Sequence, residues 1–332
     1  MRSMIHTGGL VVGAVLIILV MHVMWFIYTP ISPGRPIRID ITFGTSAWRI
    51  SKTLAKEHVI TDAPAFMTIA LLTRRARNLQ AGTYVFEGRH YPIEVMDILY
   101  QGKSLRYKIT IPEGSDIIAI GDILTTTGMF SRREFIKTAQ KRSTAEFFSL
   151  NAPSMEGFLF PDTYYLGPNM TAMEIISRMV ARYRKVYTSD MQARARRIGL
   201  SDLEVITLAS MIEKEARSTV EKPIISSVFH NRLKLRMPLQ SDPTAVYGLE
   251  GFRRTITPGD LRRKSPYNTY LNKGLPPGPI CNPGKDAILA ALWPAKTSHL
   301  YFVSKGNGYH YFSSSFKEHN AAIARARISS RK

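Results

Sequence analysis

Residues Gly8–Tyr28 form a 21-residue stretch of Val, Ile, Leu, Met, Trp, Phe and small residues, with His22 the one side chain able to carry charge. As a helix this run extends about 31 Å, enough to cross a hydrocarbon layer. It therefore predicts a single membrane span preceded by a short tail, residues 1–7. A cleaved signal peptide is the competing reading, but the run is longer than the usual apolar region and no A-x-A-like site follows. Trp25 and Tyr28 suit a membrane interface. Orientation is not settled by charge, because Arg2 precedes the span while Arg35 and Arg38 follow it. No later window approaches the length of a second span, so the bulk of the 332 residues is expected on one side.

The remainder is built to fold. Hydrophobic residues make up 45% of the chain, which argues against wholesale disorder. Lys and Arg number 45 against 25 Asp and Glu, a formal charge of +20, so polyanions such as nucleic acid, anionic lipid or an acidic polymer are favoured partners. The single Cys281 excludes an intrachain disulfide and a cysteine-based metal cage.

Pro30, Pro33, Gly34 and Pro36 mark an extended linker over residues 29–36. After it, alternation at Arg38–Thr42 predicts a strand, and Ser46 caps a helix through Ile50 and Leu54. A second helix follows Asp62, a strand covers Gly82–Phe86, and Pro92 opens another helix. Residues 37–103 thus read as a small strand-helix-helix-strand domain. Residues 104–153 connect it, through a strand at Tyr107–Ile111 and helices around Ile117–Thr126 and Arg132–Ala139, to a larger domain over 154–332. The expected class is α+β, with no internal repeat.

The larger domain carries polar residues in unusual company. Residues 201–217, SDLEVITLASMIEKEAR, begin with a capping box, Ser201 and Glu204, and continue apolar nearly all round the helix. Glu213 shares a face with Ile206, Ala209 and Ala216, while Glu215 points roughly 160° away. An apolar setting favours the neutral carboxyl, the condition for a general acid. Both glutamates would otherwise be solvated charges paired with Lys214 and Arg217. A helix from about Glu221 follows, and its tail, Arg232, Lys234 and Arg236, matches the helix dipole without needing a ligand. Gln240, Ser241, Asp242 and Thr244 crowd around Pro243, either as a simple Asx turn or as part of a site. The Pro- and Gly-rich Ser265–Gly284 loop interleaves Tyr267, Asn268, Thr269 and Tyr270, suited to stacking on sugars and bonding their hydroxyls. Glu156 and Asp162 flank an apolar centre in EGFLFPDTY.

The blocks EGFLFPDTY, LASMIEKEA, VFHNRLKLRMPLQSDPTAVYG, SPYNTYLNKGLPPGPICNPG and YFVSKGNGYHYFSSSFKEHN, in that order after one apolar segment, resemble the YceG-like family of endolytic murein transglycosylases. The resemblance covers nearly the whole chain. It implies a LysM-like small domain, an inner-membrane anchor with residues 1–7 as a cytoplasmic tail, and a catalytic domain in the periplasm. It further implies non-hydrolytic cleavage of the β-1,4 bond between N-acetylmuramic acid and N-acetylglucosamine, leaving 1,6-anhydro ends and limiting nascent strand elongation. No cofactor or metal is implied. The family's catalytic glutamate falls at Glu213; the helical-face argument alone leaves Glu215 open. Because the sugar's C6 hydroxyl is the nucleophile, one carboxyl group can give a proton to the leaving oxygen and then accept one, without the second carboxylate that hydrolases need. Gln240, Ser241, Asp242, Thr244, Tyr247, Tyr267, Asn268 and Glu156 are the candidate groove residues. Glycan strands, the membrane and peptidoglycan synthases are the expected partners.

Two other classes compete. A nucleic-acid binder would explain the charge, but the basic residues are scattered and no recognition motif occurs. A non-catalytic wall-binding scaffold would bind glycan and release nothing. No GxxxxGK[ST], GxSxG or HExxH is present.

Overall fold

The computed structural model describes residues 2–249 and 256–329, with side chains described from Gly13 to Arg327 within those ranges. The fold is mixed α+β. The chain divides into two units, Met1–Tyr107 with Tyr165–Asn169, and Lys108–Tyr164 with Met170–Lys332.

The first unit begins with α1 (Arg2–Tyr28), followed by β1 (Ile37–Ile41), α2 (Ala47–Lys56), α3 (Ala63–Leu72), β2 (Gly82–Phe86) and α4 (Pro92–Tyr100). α2, α3 and α4 each start where a side chain can take up a free backbone amide. Ser46 accepts the Arg49 N–H and Asp62 accepts the Ala65 N–H, while Glu94 reaches back to the Tyr91 N–H at the start of α4. β1 and β2 pair antiparallel with Ile39 opposite Tyr84. Ile39, Leu54, Phe66, Tyr84, Phe86, Met96 and Leu99 are sealed in the core of this unit, and Phe26 from the end of α1 joins them. Burying each such side chain contributes about 1.5–3 kcal/mol, which holds a small sheet that could not stand alone. Among the described residues no helix is long and apolar enough to cross a membrane. The 8–28 segment lies within α1, but residues 8–12 fall outside the described side chains.

The second unit is mostly helical. It contains α5 (Ile117–Thr125), α6 (Arg132–Ala139), α7 (Arg142–Phe147), α8 (Ala172–Val186), α9 (Ser189–Arg197), α10 (Asp202–Glu215), α11 (Lys222–Lys234), α12 (Asp242–Val246), α13 (Lys285–Leu292) and α14 (Phe316–Ser329). Strands β3 (Tyr107–Thr110) and β4 (Thr163–Leu166) form one two-stranded sheet, and β5 (Tyr301–Ser304) and β6 (His310–Ser313) form another. α10 is the central element: every residue from Val205 to Ile212 is buried, as its nearly all-round apolar pattern requires. It packs against α13, α11 and α12. Gly157 lets the EGFLFPDTY segment cross this core, because it has φ +88° and a Cβ there would meet Pro279 and Ile206.

Candidate active site

The last turn of α10 carries two carboxylates to different surroundings. The helix is started by the reciprocal Ser201–Glu204 capping box and stops at Ala216, whose backbone is extended. Two residues advance roughly 200° around the axis, so Glu213 and Glu215 leave on opposite sides.

Glu213 meets a cation. Its two carboxylate oxygens each lie 3.0 Å from Lys222 Nζ, and Oε2 also accepts the Gly284 N–H at 3.0 Å. The side chains of Lys222 and Glu213 are only 6% and 8% exposed. Glu113 Oε2 approaches the same ammonium at 3.6 Å. Burial, with the Glu213 charge second, pushes the Glu113 carboxyl above its usual range, against the pull of Lys222. The Glu113 carboxyl lies close against Gly284, where a Cβ would push that half-exposed side chain aside. The apolar setting expected around Glu213 is therefore replaced by donors: its carboxylate is built as an acceptor in a buried ion pair.

Glu215 is buried in the wall of a largely polar cavity. Burial pushes its carboxyl up to about 7, with the Asp242 charge adding to the rise, while the Ser241 hydrogen bond and the Arg232 charge oppose it. Ser241 Oγ donates to Glu215 Oε1 at 2.6 Å. Glu215 lines a cavity of about 360 Å³ together with Arg232, Leu239, Gln240, Asp242, Tyr270, Phe302 and residues of β5, β6 and α14. That volume lies in the range of small-ligand sites.

The cavity floor is stitched by hydroxyls. The Ser241 N–H donates to Thr269 Oγ1 at 3.0 Å, Thr244 Oγ1 to the Ser241 carbonyl at 2.6 Å, and the Gln240 N–H to the Thr269 carbonyl at 3.2 Å. Tyr270 OH donates to Asp242 Oδ1 at 2.5 Å. The Gln240–Thr244 cluster is thus the start of a short helix clamped to the Ser265–Gly284 loop, with Pro243 in its first turn, and not an isolated turn. Gln240 itself has φ +51°, a left-handed conformation that costs a non-glycine residue about 1 kcal/mol and here aims an exposed amide at the cavity rim.

The other candidates divide. Gln240, Ser241 and Asp242 surround Glu215. Thr244 and Asn268 are fully buried braces; Asn268 Nδ2 donates to the Leu261 and Arg263 carbonyls at 3.0 and 2.8 Å. Glu156 is 3% exposed and holds no open position. It accepts from the Ile117 N–H at 3.1 Å, Asn282 Nδ2 at 2.9 Å and Tyr247 OH at 3.2 Å. Burial and then the Asp116 charge push this carboxyl up to about 8. Tyr247 packs on Tyr267 with ring centroids 4.6 Å apart, and neither ring lines the Glu215 cavity.

Sequence reasoning passed over Arg232, Lys222 and Glu113. Arg232, read as a helix-tail cation, is buried instead, and its guanidinium donates to the carbonyls of Leu300 at 2.7 Å and Leu239 at 2.9 Å. Its charge lies near Glu215 as a consequence. No spacing in the sequence signals this, because the carbonyls come from segments 7 and 68 residues away.

Comparisons with known proteins agree with this architecture. The model of the YceG-like family matches residues 39–325. The chain is 33% identical to the endolytic murein transglycosylase of Bacillus subtilis (strain 168), over 86% of this chain and 83% of the relative. It is 28% identical to the endolytic murein transglycosylase of Streptococcus pneumoniae (strain R6), over 87% of this chain and 58% of that longer protein. The crystal structure of a YceG-like protein from Listeria monocytogenes superposes with a TM-score of 0.60 at 33% identity, covering 86% of this chain and 99% of that one. On the strength of the match from residue 39 to residue 325, the chain belongs to the YceG-like family.

Proposed function

We propose that this protein is an endolytic peptidoglycan lytic transglycosylase, cleaving the β-1,4 bond between N-acetylmuramic acid and N-acetylglucosamine with formation of a 1,6-anhydro end. The relatives named as murein transglycosylases support the reaction class. The observation that carries the chemistry is Glu215, a carboxyl group raised to about 7 and bonded to Ser241 in the wall of a cavity. A group half protonated near neutral pH can give its proton to the leaving glycosidic oxygen. The C6 hydroxyl then closes on C1, and no water need be activated. We assign the acid role to Glu215 and a structural role to Glu213, whose partners are all donors.

Gln240, Ser241, Asp242 and Tyr270 are placed to position the sugar, and Tyr247, Tyr267, Thr244, Asn268 and Glu156 to hold the loops that carry them. In the first unit, the loops Thr42–Thr45 and Arg77–Ala81 line a cleft of about 900 Å³, and Phe43 stands 98% exposed beside it. An exposed ring beside a polar cleft suits stacking on a pyranose, so this LysM-like unit is read as a glycan handhold. Residues 8–28 are read as a membrane anchor, because Val15 to Met21 on α1 leave more than half of each side chain exposed with no polar face. The protein would then sit in the inner membrane with its catalytic unit in the periplasm, near the synthases that lengthen glycan strands. The +20 charge adds attraction to anionic headgroups and stem-peptide carboxylates.

Digestion of purified sacculi by the wild type, Glu215→Gln and Glu213→Gln proteins, with mass analysis of the products, tests the reading. Anhydro ends from the wild type, and their loss in Glu215→Gln, are expected. A non-catalytic scaffold would bind the sacculi and release nothing, and reducing ends would make the protein a hydrolase.

A further inference from the structure

The cavity that holds Glu215 has a second wall, built from β5, β6 and α14, and His310 on β6 lines it. Glu221, in the 3-10 turn Thr219–Glu221 before α11, grips this histidine twice. Its Oε1 accepts the His310 N–H at 3.0 Å, and its Oε2 lies 2.8 Å from Nδ1. Both side chains are almost sealed, at 8% and 9% exposure. Carboxylate oxygens can only accept, so Nδ1 carries the proton shared with Glu221 and Nε2 is the ring nitrogen left to face a substrate. Nε2 makes no hydrogen bond among the described residues. Phe302 meets the ring edge to face with centroids 5.5 Å apart, which fixes its plane. A nitrogen base oriented by a buried carboxylate thus shares a cavity with a carboxyl acid, the relationship by which proton-transfer sites are recognised.

We propose that His310, oriented by Glu221, is the base that removes the C6 hydroxyl proton. The proposal rests on reading the Glu215 cavity as the glycan cleft. The C6 oxygen–hydrogen bond breaks toward His310 Nε2, and the C6 oxygen bonds to C1. The bond from C1 to the leaving oxygen breaks, and that oxygen departs with the proton of Glu215. Glu215 is left as carboxylate and His310 as imidazolium, and passage of one proton from the second to the first restores the enzyme with no water consumed.

The other titratable or charged groups facing this space are less suited. Asp242 is engaged by Tyr270, and Arg232 donates to backbone carbonyls. Burial lowers His319 from its usual range, and its buried Nδ1 has no partner to orient the ring. Glu221 is committed to His310, which leaves Glu215 and His310 as the pair open to substrate.

The test uses the full-length protein acting on purified glycan strands, with His310→Ala, Glu221→Gln and Glu215→Gln assayed between pH 5 and 9 and with added imidazole. His310→Ala should lose about 10²–10³-fold in kcat and recover about tenfold or more with imidazole, which replaces a missing base but not a missing brace. Glu221→Gln should lose less and displace the acidic limb of the pH profile. The proposal is overturned if His310→Ala stays within about threefold of wild type. It is equally overturned if His310→Ala is inactive yet unmoved by imidazole while Glu221→Gln retains the wild-type pH profile. Undiminished cleavage by Glu215→Gln would sink the cleft reading itself, a result distinct from either.

Discussion

Ser241 donates its hydroxyl to Glu215 Oε1 at 2.6 Å, while its backbone N–H is held by Thr269 at 3.0 Å. Glu215 is thus tied to the Ser265–Gly284 loop through Ser241. A hydrogen bond to the carboxylate favours the charged form and works against burial, so it tunes the group down toward neutrality.

The rate should therefore depend on a protonated group. Since Glu215 must carry its proton to act as acid, kcat/KM is expected to fall as pH rises through about 7. Ser241→Ala removes support for the carboxylate and should move that limb to higher pH. A limb that stays in place in the Ser241→Ala pH profile would separate it from Glu215.

Substitution of the two glutamates should separate chemistry from stability. Glu215→Gln should cost about 10²–10⁴-fold in kcat with little change in unfolding midpoint. Glu213→Gln strands the buried Lys222 ammonium, which has only the half-exposed Glu113 left nearby, and should cost about 3 kcal/mol by denaturant titration. Lys222→Met combined with Glu213→Leu should be milder than either single change, because no unpaired charge remains.

Glu156 predicts a slope in stability with pH. Burial pushes its folded carboxyl up to about 8, well above the ordinary carboxylate range near 4.5, so between these values the folded state binds more protons than the unfolded. Stability from this group is fully present below about 4.5 and is lost as pH rises toward 8. Glu156→Gln, which cannot titrate, should flatten that part of the curve in denaturant unfolding at pH 5, 7 and 9.

Gly157→Ala should be destabilising beyond an ordinary glycine replacement. The position combines φ +88° with Pro279 and Ile206 in the space of a Cβ, so about 2 kcal/mol or more is expected from strain and overpacking. Calorimetry of the variant checks it.

Much of the local structure is legible in the residues alone. Ser201 with Glu204, Asp62, Ser46 and Pro92 announce helix starts because a cap is a contact within three residues, and Gly82–Phe86 alternates as a strand must. The buried character of α10 also follows from its composition, since an all-round apolar helix has no face to give to water. Periodicity even places Glu213 and Glu215 on opposite sides of that helix.

What stands on each side is another matter, and it was decided by chain segments distant in sequence. Lys222 and Gly284 arrive at Glu213 from 9 and 71 residues away, and Ser241 reaches Glu215 from 26. Helical period fixes an angle about an axis, but the proton affinity of a carboxyl depends on the charges and donors packed against it. Only the folded chain turns two glutamates of one EKE segment into one member of a buried ion pair and one carboxyl that burial pushes up to about 7.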